Sequence, residues 1–173
     1  NIIKMPLGTS GTLDRIKLSP VKLIPIVNIE LDPQNPRIRG KIAPIGKYAK
    51  NVSSLTQSEL QDYILTHEEK AVKRYKISIH RNGVLDPIFL KKTGKKYTVK
   101  EGNRRTVALR KIDYDIKSGK IEGFSENHFE VVPVFVLHGS KHEIDVFVAQ
   151  DHVSGKNEWA ALNKASVVYD FID

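Results

Sequence analysis

The sequence predicts an α/β domain of the α+β type, in which a small mixed sheet is flanked by helices and followed by a helical C-terminal portion. Residues 96–100 alternate between polar and apolar side chains, which is the period of a half-buried strand. The apolar run Phe129–Leu137 has the length and the Val/Phe content of a buried strand. Upstream of both, Glu68–Arg81 carries apolar side chains at helical spacing, so strands and helices are both expected.

Length and composition indicate one globular domain. The chain has 173 residues and is 40% hydrophobic, which suffices for a sizeable core. It has no cysteine, and no apolar run approaches the ~20 residues of a membrane helix, so we expect a cytoplasmic protein without a membrane partner. Residues 1–20 are predicted to be an N-terminal arm, 21–139 the α/β domain, and 140–173 a helical portion that continues it. Because the chain starts at Asn1 rather than Met, we expect a fragment of a longer protein.

The first half of the domain is predicted to hold one strand and two helices. Val21–Leu31 is rich in Val and Ile, although Pro25 restricts it to a sheet edge or interrupts it. One helix is expected to begin near Thr56. A second covers Glu68–Arg81 and ends at Gly83, which can adopt the left-handed conformation of a helix C-terminus. The expected cap of the first helix is Ser53 or Ser54, and its expected inward side chains are Leu60, Ile64 and His67.

A hairpin, a helix and a strand are predicted in the second half. Ile88–Lys91 and residues 96–100 flank the turn sequence Thr93-Gly94-Lys95 and therefore predict a β-hairpin. Gly102 ends the strand pattern, and residues 103 to 112 are good helix formers. Pro133 places the following apolar strand near a sheet edge or a bulge. Residues 113–126 are predicted to be a connection, and two last helices are predicted at Lys141–His152 and Lys156–Ile172.

The stretch YTVKEGNRRTVALR, residues 97–110, combines a strand, a glycine turn and a helix N-terminus. A helix N-terminus presents backbone N–H donors and about half a positive charge, and glycine lets a ligand approach the backbone closely. Arg104 and Arg105 add planar donors that suit phosphate oxygens. Gly102, Asn103, Arg104 and Arg105 therefore form a candidate phosphate site. The same pattern also occurs on basic surfaces without a ligand.

Positive charge is concentrated around this turn. Residues 70–111 contain 14 Lys and Arg and only two acids, Asp86 and Glu101, hence a net charge of +12, whereas the whole chain carries +8. Such asymmetry favours a polyanionic partner, and DNA bound through this window is the expected one. The alternative is a solvated basic face that binds no partner.

Three segments resemble the N-terminal domain of the ParB family, whose fold is shared with sulfiredoxin. Ile29–Arg37, IELDPQNPR, is similar to the family's opening strand and N-P-R turn. Ile79–Leu90, IHRNGVLDPIFL, is similar to its segment of a helix, a glycine, a proline and a strand. Tyr97–Ala108 contains GNRRTVA, similar to the family's G-E-R-R-x-x-A phosphate motif. The segments occur in the family's order, and the resemblance extends over roughly residues 22–172.

The resemblance implies binding of a nucleoside triphosphate, CTP as in the partition proteins or ATP as in sulfiredoxin, together with Mg²⁺. The phosphates would lie at the G-N-R-R turn, and the protein would be associated with DNA. The resemblance is also compatible with a homodimer of this chain. Some relatives are nucleases, and others transfer phosphate to free serine. Sulfiredoxin chemistry is excluded, because Asn103 stands in place of the required cysteine. The further residues implied to lie near the nucleotide are Gly83, Pro87, Ile88 and Arg37.

Two departures from the family pattern bear on catalysis. Asn103 replaces the glutamate of the phosphate motif, and an amide cannot act as a base. When this chain is compared with the family's E-N-x-x-R motif, His152 occupies the position of the glutamate and Lys156 that of the arginine. Lys156 could still contact a phosphate there. Glu101 and Asp151, each one residue away, remain as candidate catalytic residues and Mg²⁺ ligands. We therefore predict a nucleotide-binding domain that hydrolyses poorly; the alternatives are a metal-dependent nuclease or phosphotransferase, and a ligand-free protein-interaction module.

Overall fold

The computed structural model describes residues 17–35 and 55–153, and this part of the chain forms one mixed sheet with helices on both faces. The predicted α/β class is confirmed. The strands are β1 (Lys17–Leu18), β2 (Lys22–Pro25), β3 (Ile29–Glu30), β4 (Ile88–Thr93), β5 (Lys96–Glu101) and β6 (Val131–His138). The helices are α1 (Gln57–His67), α2 (Glu69–Asn82), α3 (Asn103–Lys117) and α4 (Lys141–Val153).

The order of the strands in the sheet is β1-β6-β4-β5-β3, and β2 also pairs with β6. β4 and β5 form the predicted antiparallel hairpin, with Thr93 opposite Lys96. β6 runs parallel to β4, and β3 runs parallel to β5. β1 and β2 are antiparallel to β6. The end of β5, from which α3 leaves, therefore lies between β4 and β3 rather than at a sheet edge.

Alternation along β6 divides the core into two layers, one on each face of the sheet. Val132, Val134 and Val136 pack on one face, with the buried side chains of α1, α2 and α3. Phe135 and Leu137 pack on the other face, with the buried side chains of α4. This is the period-2 pattern of a strand that is covered on both sides. Each fully buried aliphatic or aromatic side chain contributes about 1.5–3 kcal/mol to stability.

Two helices begin with reciprocal capping interactions. The Thr56 hydroxyl accepts a hydrogen bond from the Glu59 N–H at 3.2 Å, and the Glu59 carboxylate accepts one from the Thr56 N–H at 2.7 Å. Ser140 and Glu143 form the same pair of contacts at α4, so the predicted Ser140 cap is confirmed. The cap of α1 is Thr56, rather than either of the serines that the sequence favoured.

Two element boundaries differ from the sequence prediction. Lys17–Leu18, assigned to the arm, pairs with His138 and Leu137 as strand β1. A two-residue strand has too little periodicity to be recognised in a sequence. α3 ends at Lys117 instead of about residue 112, so the first residues of the predicted connection are helical. The helix continues because Ile112 and Ile116 are both buried on the same helix face.

Two predictions about individual side chains are also corrected. His67 is exposed at the end of α1 and stacks on Tyr63 with 4.1 Å between ring centroids, whereas Leu60 and Ile64 are buried as predicted. Pro133 lies in β6, which has neighbours on both sides. Pairing with β4 begins only at Val134, so Pro133 stands just outside that ladder and its missing N–H costs no β4 hydrogen bond.

Several predicted features lie outside the described residues. These are residues 1–16 of the arm, Arg37, Lys156 and the helix predicted at Lys156–Ile172. Asp151 belongs to α4, but its side chain is not among those described. Within the described ranges, every helix is too short or too polar to cross a membrane.

Candidate functional site

The turn between β5 and α3 is the meeting point of three separate parts of the chain. Because β3 and β5 are parallel, the residues that follow each strand leave at the same end of the sheet. Because β4 is antiparallel to β5, the residues that precede β4 lie at that end too. The three segments that carry the sequence resemblance therefore converge on Gly102–Arg105.

Gly102 is required at this turn for two physical reasons. Its φ of 112° and ψ of 22° lie in the left-handed region, where other residues are strained. A Cβ at this position would also lie 3.2 Å from Cγ2 and 3.3 Å from Cγ1 of Ile88. The missing side chain thus lets the start of β4 pack directly against the turn.

The first turn of α3 presents backbone donors. The Gly102 carbonyl accepts hydrogen bonds from the Thr106 N–H at 2.8 Å and from the Thr106 hydroxyl at 3.0 Å. The N–H groups of Asn103, Arg104 and Arg105 precede this first intrahelical bond, so the helix supplies no acceptor for them. No described side chain caps this helix. The helix dipole and these three donors favour an anion at this end.

The side chain of Asn103 is held by the segment that follows β3. Its Oδ1 accepts a hydrogen bond from the Asp32 N–H, and its Nδ2 donates to the Asp32 carbonyl, both at 3.3 Å. The Asp32 carboxylate is fixed in turn by Lys100 at 2.7 Å and by the Gln34 N–H at 2.9 Å. Asn103 therefore offers a ligand its backbone N–H, while its amide joins β3 to α3.

Arg105 is the most enclosed charged group of the turn, with a side chain that is 6% exposed. Its guanidinium donates to the carbonyls of Asp86 at 2.6 Å and Pro87 at 2.7 Å, and to Glu101 at 3.3 Å. These contacts tie the loop before β4 to the end of β5 and the start of α3. Arg105 thus positions the turn, and its predicted contact with phosphate stays a prediction.

Arg104 differs from its neighbour, because its side chain is 24% exposed. Its guanidinium lies 3.5 Å from the Glu68 carboxylate and 5.9 Å from the ring centroid of Tyr75. Glu68 and Tyr75 come from the junction of α1 and α2 and from α2 itself. Arg104 is therefore the arginine of the pair that can turn towards a ligand, since its ion pair is partly solvated and weak.

A small cleft lies over the turn, with a volume of about 30 Å³. This admits one or two water-sized groups, so a nucleotide bound here would place at most phosphate oxygens inside. Asn35, the described part of the N-P-R turn, lines this cleft together with side chains of α1 and the α1–α2 junction. The cleft residues are Asn35, Tyr63, Ile64, Glu68, Tyr75 and Glu101–Arg105.

The other predicted nucleotide contacts stand behind the turn. Gly83 follows the end of α2 as predicted, but its φ of 71° is combined with a ψ of −166°, so the predicted left-handed helical conformation is wrong. Gly83 also lies outside the set of residues that line the cleft. Pro87 and Ile88 are buried and contact Arg105 and Gly102, respectively. The sequence analysis did not identify Glu68 as a cleft residue. An acidic residue just before a helix is also expected where it interacts favourably with the helix dipole, so its position gave no separate signal of a site.

The two carboxylates proposed for catalysis are not equally placed. Glu101 is 5% exposed, and its oxygen is bonded to Arg105, so it is poorly placed to hold a metal or to take a proton. Asp151 has no described side chain. Within the described part of the chain, no group of three or more His, Asp or Glu could hold a metal ion. Glu68, 20% exposed, is the more accessible carboxylate of the cleft.

The Lys and Arg side chains of the basic window, residues 70–111, fall into two groups. Some form contacts within the protein, and the others lie on two separate surfaces. Six of its Lys and Arg side chains bond to other protein groups: Lys76, Lys96, Lys100, Arg104, Arg105 and Arg110. Burial lowers the pKa of Arg110, although the charge of Glu30 opposes this. The other cations lie either on α2 and the adjoining part of α3 or on the β4–β5 hairpin, which carries Lys91, Lys92 and Lys95.

The chain was compared with protein families, curated proteins and solved structures. No protein-family model and no curated protein matches the chain. Among solved structures, the chain is similar to the C-terminally truncated chromosome-partitioning protein ParB from Caulobacter crescentus, complexed with CTP-gamma-S. The TM-score is 0.48 at 18% identity, over 79% of this chain and 54% of that one, so this chain spans about half of the ParB chain.

We expect Gly102→Ala to destabilise the fold by about 1–3 kcal/mol, because it combines backbone strain with crowding against Ile88. Gly94→Ala is the matched control, since Gly94 also has a positive φ, 62°, but no atom within 4 Å of an added Cβ. Urea unfolding of the two variants measures both effects. Equal losses of stability would contradict a packing role for Gly102.

We expect Arg105→Met to cost about 3–5 kcal/mol, because it removes the guanidinium that pairs with the buried Glu101 carboxylate. Arg104→Met should cost less than about 1 kcal/mol, since that ion pair is partly exposed. Adding Glu101→Gln to Arg105→Met should restore part of the lost stability, measured by chemical unfolding. Similar costs for the two arginine variants would show that Arg105 does not hold the turn.

Proposed function

We propose that this chain is a nucleotide-binding domain of a DNA-associated protein, with the nucleotide's phosphates at the first turn of α3. The observation that carries the proposal is the convergence of three chain segments on Gly102–Arg105. There, backbone donors, a helix N-terminus and the guanidinium of Arg104 face one cleft. CTP is the first candidate and ATP the second, as the sequence resemblance implies.

The accessible residues of the cleft fit a nucleotide accompanied by Mg²⁺. Magnesium is commonly held by one or two carboxylates together with phosphate oxygens, and Glu68 can supply such a carboxylate. When bound, the metal would neutralise phosphate charge next to Glu68. Arg104, released from its weak pair with Glu68, would then donate to a phosphate oxygen.

Among the described residues, the site includes groups for binding and few groups for hydrolysis. Hydrolysis needs an oriented water and a group that positions or deprotonates it. Glu101 is committed to Arg105, and the Asn103 amide is committed to Asp32 and cannot take a proton. We therefore propose binding without efficient turnover. The nuclease and phosphotransferase alternatives would depend on Glu68 or on side chains beyond those described.

Calorimetric titration of the chain with CTP, ATP and GTP, each with and without Mg²⁺, tests the nucleotide site. Arg104→Ala should weaken binding about 10- to 100-fold, the range for loss of a charged hydrogen bond. Arg81→Ala removes the same charge from α2 outside the cleft and should leave the affinity within about twofold. Parent-like affinity in Arg104→Ala, or no binding of any nucleotide by the parent, would refute the assignment.

DNA binding is proposed to occur through the hairpin lysines, because Lys91, Lys92 and Lys95 form no ion pair with any described residue. Anisotropy titrations of a labelled duplex at rising salt should give a slope of about −0.9 per neutralised phosphate and little sequence preference. Replacing the three lysines by Ala should flatten this slope. A slope near zero, or strong preference for one sequence, would contradict the electrostatic mechanism.

A further inference from the structure

A second concavity, separate from the cleft, lies along the outer side of α2. Its volume is about 620 Å³, and it shares no lining residue with the cleft over the α3 turn. We call it the α2 groove. Its floor is apolar and consists of Leu65, Val72, Ile77 and Ile121. Its polar rim is mainly basic and consists of Glu69, Lys73, Lys76, His80, Arg81 and Lys111.

Ile77 is the unusual residue of this surface. It is 46% exposed, although the other exposed residues of this helix are all polar and half of them are Lys or Arg. Lys73, Ile77 and Arg81 follow each other at four-residue spacing and therefore lie on one stripe of α2. An isolated exposed apolar side chain needs no explanation, but this one belongs to an apolar floor and stands between two cations of the same helix.

The rim has an excess of positive charge that the described residues leave uncompensated. Lys76 bonds to Asp115 at 2.5 Å, and Lys111 lies 5.3 Å from the ring centroid of Tyr114. No described carboxylate forms an ion pair with Lys73 or Arg81. Burial opposes ionisation of Asp115, but Lys76, with Lys111 and Lys120, outweighs burial and lowers its pKa. Even with Asp115 ionised, cations therefore predominate along the groove.

We propose that the α2 groove binds an acidic amphipathic helix of a partner protein. The apolar face of that helix would cover Ile77 and the floor, and its flanking Glu or Asp side chains would meet Lys73, Arg81 and Lys111. From Glu69 to Arg81, the groove follows α2 for roughly 18 Å at about 1.5 Å per residue. That length matches about three turns of a partner helix, enough for anchors at i, i+4 and i+7.

The apolar floor favours a protein helix over a nucleic acid. Duplex DNA presents phosphates, which would meet the rim but would leave Ile77 and the other floor side chains without apolar contact. An amphipathic helix can contact both the basic rim and the apolar floor, because it buries apolar area on one face and places acidic side chains beside that face. The described residues that are exposed on the hairpin, positions 92 to 95, are polar or glycine, which suits a phosphate backbone.

The test uses the full 173-residue chain and a fluorescein-labelled synthetic helix of about 18 residues, with Leu at the anchor positions and Glu beside them. Anisotropy should show saturable binding of this peptide, and a scrambled peptide of equal composition should bind at least about tenfold more weakly. Failure to bind, or equal binding of both peptides, would overturn the proposal.

Two variants separate the apolar and charged contributions. Ile77→Glu should weaken peptide binding at least about tenfold, since truncated or charged anchors lose most of their contribution. Its thermal unfolding should match the parent, because Ile77 is half exposed. Lys73→Glu should weaken the acidic peptide similarly, whereas Lys92→Glu, the same charge change on the hairpin, should have little effect. Peptide binding that survives Ile77→Glu but is displaced by duplex DNA would identify a nucleic-acid surface instead and refute the proposal.

Discussion

The arrangement of the candidate site depends on the buried guanidinium of Arg105. This group satisfies the carbonyls of Asp86 and Pro87 and the carboxylate of Glu101 at once. Burying a charged pair is costly, and it is tolerated here because several hydrogen bonds accompany the ion pair. The same contacts bring the start of β4 against Gly102, where an added Cβ would lie only 3.2 Å from Ile88. The position of the α3 backbone donors is therefore a consequence of Arg105.

Arg104 and Arg105, although adjacent in the sequence, therefore have different roles. On a helix, neighbouring residues point about 100° apart, so one of a consecutive pair can face the protein while the other faces the cleft. Arg105 takes the inner position and Arg104 the outer one, where Glu68 and Tyr75 lie nearby. Arg105 already donates to two carbonyls and a carboxylate, so it supports the turn rigidly. Arg104, which forms only a weak ion pair, can exchange that partner for a phosphate. The pair of consecutive arginines thus contains one positioning group, Arg105, and one candidate binding group, Arg104.

Local features of the sequence were sufficient for much of the fold. The β4–β5 hairpin, the end of α2 at Gly83, the start of α3 after Gly102 and the Ser140 cap all follow from patterns within a few residues. The roles of Asn103 and Arg105 do not, because their partners are distant. Asn103 contacts Asp32, 71 positions earlier, and Arg105 contacts Asp86, 19 positions earlier. Parallel pairing of β3 with β5, which creates the contact between Asn103 and Asp32, leaves no short-range signal in the sequence.

The same reasoning explains why net charge along the chain describes its surface poorly. A window of +12 suggests one continuous basic patch, yet Arg105 is buried, and Lys100 and Arg110 are bonded to the segment around β3. The remaining cations are divided between a hairpin and a helix, and the helix places them beside an apolar floor. Charge that is spread over a polar hairpin suits a partner with a regular phosphate backbone. Charge that surrounds exposed apolar area requires a partner with both apolar and acidic groups, so two parts of one basic window are suited to chemically different partners.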